Sequence, residues 1–418
     1  MRCCYSLRLV LTVAIVGVFS LTHAGNRDRL RRYVNTLASP EMKGRFPGTQ
    51  GDSLSASFIA QEMQKNGLCP LKDHSFVVPF TAHTRQQKSY ATSNVIGCSF
   101  GCDDILKNEW IIVGAHYDHL GYGGRDSGSR TPDTLAIHCG ADDNASGVAA
   151  MLCQSFDINC LPLRRSVLFV AFGAEELGVQ GSKWVAERLN KLPLPTDSAR
   201  FVAMVNLDMV GNLRNKSITV AGSGTSVESD SLIHVAAEQN GLNVALSSSG
   251  VGPSDHTPFY AKQLPVFFIT TGATLDYHTP RDKAENLNYA GMDSVVCFSE
   301  SLLRAIDRLD TPLHFKEAGD ANAKPMRARF KVTLGLMPDV AGVEKRGLRA
   351  DIVVKDKPAY KAGMKNGDII VEIDGMSVRD LEEYMKCLGK LKPATVIPVK
   401  VIRADKMVVL QVDLTKNK

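Results

Sequence analysis

Five short segments of this sequence carry residues that bind metals or move protons. His116-Tyr117-Asp118-His119 follows the apolar run 110–115, and Gly173-Ala174-Glu175-Glu176 follows the apolar run 166–172. Asp208 closes the run 201–207, and Tyr277-His278-Thr279-Pro280 comes shortly after 265–270. Between the first two lies Gly140-Ala141-Asp142-Asp143-Asn144-Ala145-Ser146-Gly147, a loop that opens a helix. Gathered at one place, Asp143, Glu175, Glu176 and Asp208 would repel. At about 4 Å and an effective dielectric of about 20, each close pair costs about 4 kcal/mol. A cation is the simplest resolution. Imidazole and carboxylate without thiolate suit zinc, and five ligands with one bridging carboxylate suit two ions. Two such ions lower the pKa of a shared water toward about 7 and polarise a carbonyl, while an adjacent carboxylate takes the water's proton. The chemistry implied is hydrolysis of an amide or ester.

The elements that must position these residues are legible as patterns. The runs 93–98, 110–115, 166–172, 200–207 and 265–270 predict strands, and several are apolar throughout rather than alternating. That texture belongs to a sheet buried on both faces. Helical patterns cover 28–37, 52–66, 147–157, 179–192, 229–240 and 291–309. Strands alternating with helices give an α/β fold with a mostly parallel sheet flanked by helices. In open sheets of this kind, ligands bind outside the carboxyl ends of the strands, where the five segments converge. Beyond a polar, alanine-rich stretch the texture changes to short strands with glycine-containing turns, a small β-rich module. The expected division is a first domain at 25–312, a linker at 313–327 and a second domain at 328–418.

Length and composition narrow the alternatives. A chain of 418 residues is too long for one core, and 44% apolar with 22% charged residues is ordinary globular composition. A disordered, collagen-like or coiled-coil chain is excluded. Residues 1–24 read as a signal peptide: Arg2 and Arg8 precede the apolar stretch 9–21, too short to span a bilayer, and Ala24 offers the cleavage site. Without them the chain holds 47 basic against 44 acidic residues, too balanced for a nucleic-acid binder. No other segment has 18 consecutive apolar residues, so no stable membrane span is expected and the protein reads as exported, periplasmic or secreted. Eight cysteines remain after the signal; Cys98 with Cys102, and Cys153 with Cys160, are conceivable pairs, although a chain this size requires none.

His116-x-Asp118, the Gly140–Gly147 loop, Glu175-Glu176, Asn206-Leu207-Asp208 and His278-Thr279-Pro280 together resemble the motif set of the M28 metallopeptidases, the co-catalytic zinc aminopeptidases. The resemblance covers about residues 28–310, in order and in spacing. It implies that Asp143 bridges two Zn2+ ions, that His116 and Asp208 complete one site, and that Glu176 and His278 complete the other. It implies Glu175 as general base toward a metal-bridging water, and Asp118 as the group that orients the His116 ring through its other nitrogen. Tyr277 would donate to the developing oxyanion. The resemblance also implies a cis peptide between Asp143 and Asn144, and a place near the site for Ser254-Asp255-His256-Thr257-Pro258. His119, His138, His234 and His256 read as structural residues.

Residues 328–415 resemble a PDZ domain of the bacterial, protease-associated kind, through Leu334-Gly335-Leu336-Met337, Ala362-Gly363-Met364-Lys365-Asn366-Gly367-Asp368-Ile369-Ile370 and Ile373-Asp374-Gly375. The first motif resembles the carboxylate-binding loop, with Met337 in place of an aromatic, and implies a peptide C-terminus as partner. The expected function is that of an exported dizinc aminopeptidase acting on peptides with a free N-terminus. The alternatives are a glutaminyl cyclase, whose relatives carry Trp before the last histidine and lack the Asp-Asp-Asn loop, a carboxypeptidase on the same fold, and a non-catalytic PDZ scaffold.

Overall fold

Both faces of the central strands are apolar, so the large sheet is covered on both sides. The computed structural model describes residues 26–71, 75–84, 86–125, 127–194, 196, 198–319, 332–338, 344 and 346–415. The expected signal peptide and much of the expected linker lie outside the described residues. Eight strands, β1 (Val77–His83), β2 (Ser89–Ser99), β3 (Glu109–His116), β4 (Ser166–Phe172), β5 (Arg200–Leu207), β6 (Ser217–Ala221), β7 (Asn243–Ser247) and β8 (Val266–Thr270), form one sheet in the order β1-β2-β4-β3-β5-β8-β6-β7. The run β4-β3-β5-β8 is parallel. β2 joins β4, and β6 joins β8, in antiparallel fashion.

Successive side chains of a strand point to opposite faces. Ile111, Val113, Val167, Phe169, Val205 and Phe267 therefore enter one core, and Trp110, Ile112, Leu168, Val170, Met204 and Val266 enter the other. The first core is closed by α1 (residues 26–37), α2 (Gln50–Lys65), α3 (Gly147–Cys160), α5 (Ser229–Gln239) and α7 (Tyr289–Asp307). α4 (Gln180–Ala186) and α6 (His256–Tyr260) close the second. In α1, Leu30, Tyr33, Val34 and Leu37 are buried at helical spacing, the stripe that makes a polar segment a helix. The Asn288 side chain caps α7 by accepting from the Gly291 N–H.

The five expected strands all form, within a few residues of their expected ends. β1, β6 and β7 were not anticipated, because they lie outside the parallel run, are partly exposed and lack a continuous apolar stretch. The helix expected over 179–192 is shorter: α4 stops at Ala186 and a 3-10 turn follows at Leu189–Lys191. The eight cysteines are free thiols, so neither conceivable pair is joined; Cys69 lies across from Cys98 in a two-way backbone bridge. Among the described residues, no helix is long and apolar enough to cross a membrane.

The C-terminal region builds a second sheet from β9 (Leu336–Pro338), β10 (Leu348–Val353), β11 (Ile369–Ile373), β13 (Val396–Arg403) and β14 (Lys406–Asp413), ordered β14-β13-β11-β10-β9, with β12 (Met376–Ser377) pairing β11. With α8 (Pro358–Lys361) and α9 (Leu381–Lys390) it encloses its own core, including Leu348, Ile370, Leu388 and Val399.

Candidate metal centre

Parallel pairing aligns the strand ends that carry the chemistry. His116 is paired with Phe172, Gly114 with Asn206 and Leu207 with Ile269, so the carboxyl ends of β4, β3, β5 and β8 lie side by side. His116 ends β3, Glu175 and Glu176 follow β4, Asp208 follows β5, and the loop after β8 returns His278. Asp143 arrives from the loop that opens α3.

His116 Nε2 lies 3.2 Å from Asp143 Oδ1 and 3.6 Å from Asp208 Oδ1. His278 Nε2 lies 3.0 Å from Asp143 Oδ2 and 3.2 Å from Glu176 Oε1. Asp143 thus presents one oxygen to each histidine. Two donor groups result, His116 with Asp143 and Asp208, and His119 with Asp143, Glu176 and His278, the ligand atoms of each lying within 4.8 Å of one another. The residues fit metal ions: the donors are nitrogen and oxygen only, and Asp208 Oδ1 is buried without a hydrogen-bond partner among the described residues. A cation satisfies such an oxygen.

Polar scaffolding fixes these donors. The His116 Nδ1–H reaches the backbone carbonyl of Asp118 at 3.2 Å. The Asp118 carboxylate lies 3.7 Å from Nδ1 and accepts the backbone N–H groups of Glu175 and Glu176 at 2.9 and 3.2 Å. It therefore aims the β4 turn, while its own backbone orients His116. The His278 Nδ1–H donates to the Gly128 carbonyl at 3.1 Å, and His278 sits at φ 54°, a conformation few non-glycine residues adopt. Ser254 donates to Asp208 Oδ2 at 2.7 Å and accepts from Asn206 Nδ2 at 2.8 Å.

The bridging loop is tied on every side. The Asp143–Asn144 peptide is cis. Asp142 accepts from the Gly211 N–H at 2.8 Å and from Asn212 Nδ2 at 2.6 Å, and Asn144 Nδ2 donates to the Leu207 carbonyl at 2.9 Å. Asp282 accepts the N–H groups of Asp142 and Asp143 at 2.8 and 3.1 Å. Gly140 sits at φ +57°, and a Cβ there would come 2.6 Å from the His119 ring, so only glycine fits.

The electrostatics follow from crowding carboxylates in a buried space. Burial, reinforced by Asp255 and Glu176, raises Glu175 well above the ordinary carboxylate range against the pull of His116. Burial pushes Asp118 up to about 8, Asp282 to about 8 and Asp255 to about 7. His278 and His119 act against burial on Glu176 and hold it down at about 2. Tyr277 stacks on His278 with ring centroids 3.9 Å apart, and burial beside the four carboxylates raises its hydroxyl well above the usual value. Asp255 is buried within electrostatic reach of His116 and Asp208.

The sequence alone reads His119 as structural and gives no role to Arg45 or Asp282. His119 is fully buried, with Nδ1 2.9 Å from Glu176 Oε1. Arg45, also fully buried, donates to the carbonyls of Leu37, Tyr117, Cys139 and Gly140 at 2.6–2.8 Å, clamping together the loops that carry His116 and Asp143. The signals available were an arginine set among glycines at 44–48, and an aspartate four residues after His278.

Residues 94–298 match the family description Peptidase family M28, and residues 339–414 match PDZ domain. Aminopeptidase YwaD of Bacillus subtilis is 33% identical over 208 residues, which cover 47% of this chain and 41% of that one, so the chain spans about two-fifths of that relative's length. A Zn-dependent exopeptidase from Parabacteroides distasonis superposes with TM-score 0.55 at 18% identity, covering 66% of this chain and 97% of that one. Glutaminyl cyclase from Bacteroides thetaiotaomicron superposes with TM-score 0.54 at 17% identity, covering 66% and 97%. These two likenesses speak to the fold.

Proposed function

We propose that this chain, in which a peptidase family M28 domain is followed by a PDZ domain, is an exported aminopeptidase that removes N-terminal residues from peptides with two zinc ions. The observation that carries this reading is the pair of donor groups sharing Asp143, with Glu175 within electrostatic reach of His116, Glu176 and Asp208. His116 and Asp208 would hold one ion, Glu176 and His278 the other, with Asp143 common to both. When bound, the ions supply a water of lowered pKa and polarise the scissile carbonyl.

The chain's own residues do the rest. Glu175 accepts the proton of the attacking water and returns it to the departing amine. Asp118 aims the Glu175 and Glu176 backbone at the cleft. Tyr277 keeps its proton and donates it in a hydrogen bond to the oxygen that gains charge. The aminopeptidase assignment is supported by YwaD's name and by the complete donor set.

The same proposal divides the chain into a peptidase domain at 25–312, a linker at 313–327 and a PDZ domain at 328–418. β9 is the terminal strand of its sheet, so a peptide C-terminus can add beside it, with the backbone of Leu334, Gly335, Leu336 and Met337 receiving the carboxylate. Export rests on the composition of residues 1–24.

The test is release of free amino acids from peptides with free or N-acetylated amino ends, before and after chelation. Chelator-sensitive cleavage of the free-amine peptides alone is expected. Cleavage of acetylated peptides overturns the aminopeptidase reading in favour of carboxypeptidase or endopeptidase action. Cyclisation of N-terminal glutamine without amino-acid release overturns it in favour of a cyclase.

A further inference from the structure

The two donor groups are unequal. The His116 group offers three side chains, whereas the His278 group offers four, the fourth being His119. An ion held tetrahedrally at about 2.0–2.1 Å from each donor sets its donors about 3.3 Å apart. In the His278 group the spacings are 3.0 Å for His278 to Asp143, 3.2 Å for His278 to Glu176, 2.9 Å for His119 to Glu176 and 3.8 Å for His119 to Asp143. These values straddle the tetrahedral edge. The His119 ring is held there: it is fully buried, the Gly140 backbone packs on its Cγ and Cδ2, and it meets the His278 ring edge-on with centroids 5.6 Å apart. Its Nε2 is buried with no hydrogen-bond partner among the described residues, and its Nδ1 faces the Glu176 and Asp143 oxygens.

We propose that His119, through Nδ1, is a fourth protein ligand of the metal held by Asp143, Glu176 and His278. The inference rests on the two-metal reading above and deepens it. A site with four protein ligands is closed, whereas one with three keeps a position free. The His119 group, with one protein donor more, is therefore the more saturated of the two and anchors the second ion.

The test uses the full chain loaded with cadmium-113 alone and labelled with nitrogen-15 at histidine. Two bound ions, and cadmium coupling to three ring nitrogens (His116 Nε2, His278 Nε2 and His119 Nδ1), are expected. Two ions with coupling at His116 and His278 only would overturn the proposal and leave the two-metal reading standing. Fewer than two ions, or no coupling at His116 or His278, would overturn both. Competition with a chelator supplies the second readout. His119→Ala and His119→Gln should each weaken one ion by more than 100-fold and leave the other unchanged, beyond the 10–100-fold effect of a partner that only supports a ligand. Affinity kept within tenfold in His119→Gln, which can still donate to Glu176, would show that the histidine acts as a hydrogen-bond donor and not as a ligand.

Discussion

The two sheets of this protein treat buried polarity in opposite ways. Beneath the larger one, Arg45, Asp118, His119, Asp142, Asp143, Asn144, Ser254 and Asp255 are withdrawn from water around a single cleft. In the C-terminal domain, Asp368 is the one charged or polar residue buried among those described, and the remainder of its core is aliphatic, with Met, Cys and a tyrosine. Burying a polar group is costly unless every donor and acceptor is paired. A domain that only has to fold and present an edge strand avoids that cost. A domain that must hold carboxylates and imidazoles in fixed positions accepts it and then pairs them, through Arg45, Asp118, Asp282 and Ser254. Dense buried polarity, part of it left unpaired at Asp208 Oδ1 and His119 Nε2, marks the larger domain, and its scarcity marks the smaller one.

The contrast can be broken or sharpened by substitution. Glu175→Gln should have the largest effect, a loss of about 10²–10⁴ in turnover with metal content unchanged by elemental analysis. Full activity in that variant would remove Glu175 from the role of base. Arg45→Met should come next. It strands four buried carbonyls and should lower the unfolding free energy of the larger domain in urea by about 3 kcal/mol or more. Ser254→Ala deprives Asp208 of its donor and should weaken one of the two ions by about 10–100-fold in chelator competition, with little change in melting.

The remaining variants should do less. Asp368 accepts from Arg403 at 2.8 and 2.6 Å and from the Lys365 N–H at 2.9 Å. Asp368→Asn should cost about 1–2 kcal/mol, confined to the C-terminal domain and leaving hydrolysis untouched. The smallest effect concerns Glu62, buried under Arg32 and Lys65 at 2.7 and 2.8 Å. Burial alone would raise its carboxyl, but the hydrogen bonds from Arg32 and Lys65 outweigh it and hold the group below its usual value. Its contribution is therefore complete above the unfolded pKa of about 4.3 and is lost as pH falls through the lower folded value. Both partners are largely exposed, so Glu62→Gln should cost about 1 kcal/mol or less at pH 7 and nothing at pH 2, read from unfolding at the two values.

Much of the centre was legible because each donor follows a signal that survives in one dimension. His116, Glu176 and Asp208 each end or follow an apolar run long enough to be a buried strand, and Asp143 sits in a loop that opens a helix. What was hidden depends on partners that a sequence does not display. Nothing in the residue type of Arg45 reveals that four carbonyls from distant loops are left without donors around it. His119 lies past the end of β3, where no periodicity says which way a ring turns. β6 and β7 escaped notice because strands outside the buried parallel run need no continuous apolar stretch. The resemblance implies that Asp118 orients the His116 ring, but nothing in the sequence says that the contact runs through its backbone oxygen.

The Arg45 clamp also dictates an order of events during synthesis. A ribosome delivers the guanidinium 94 residues before the Cys139 carbonyl it will grip, and the Gly128 carbonyl 150 residues before the histidine that docks on it. Until residue 140 has been made, the growing chain holds an arginine with half its acceptors, and until Asp282 has been made its aspartate loop is without its anchor. A product that stops short of residue 278 lacks the ring that faces Asp143 Oδ2 and Glu176 Oε1, so the four-residue donor group is assembled only when the first domain has been translated nearly to its end.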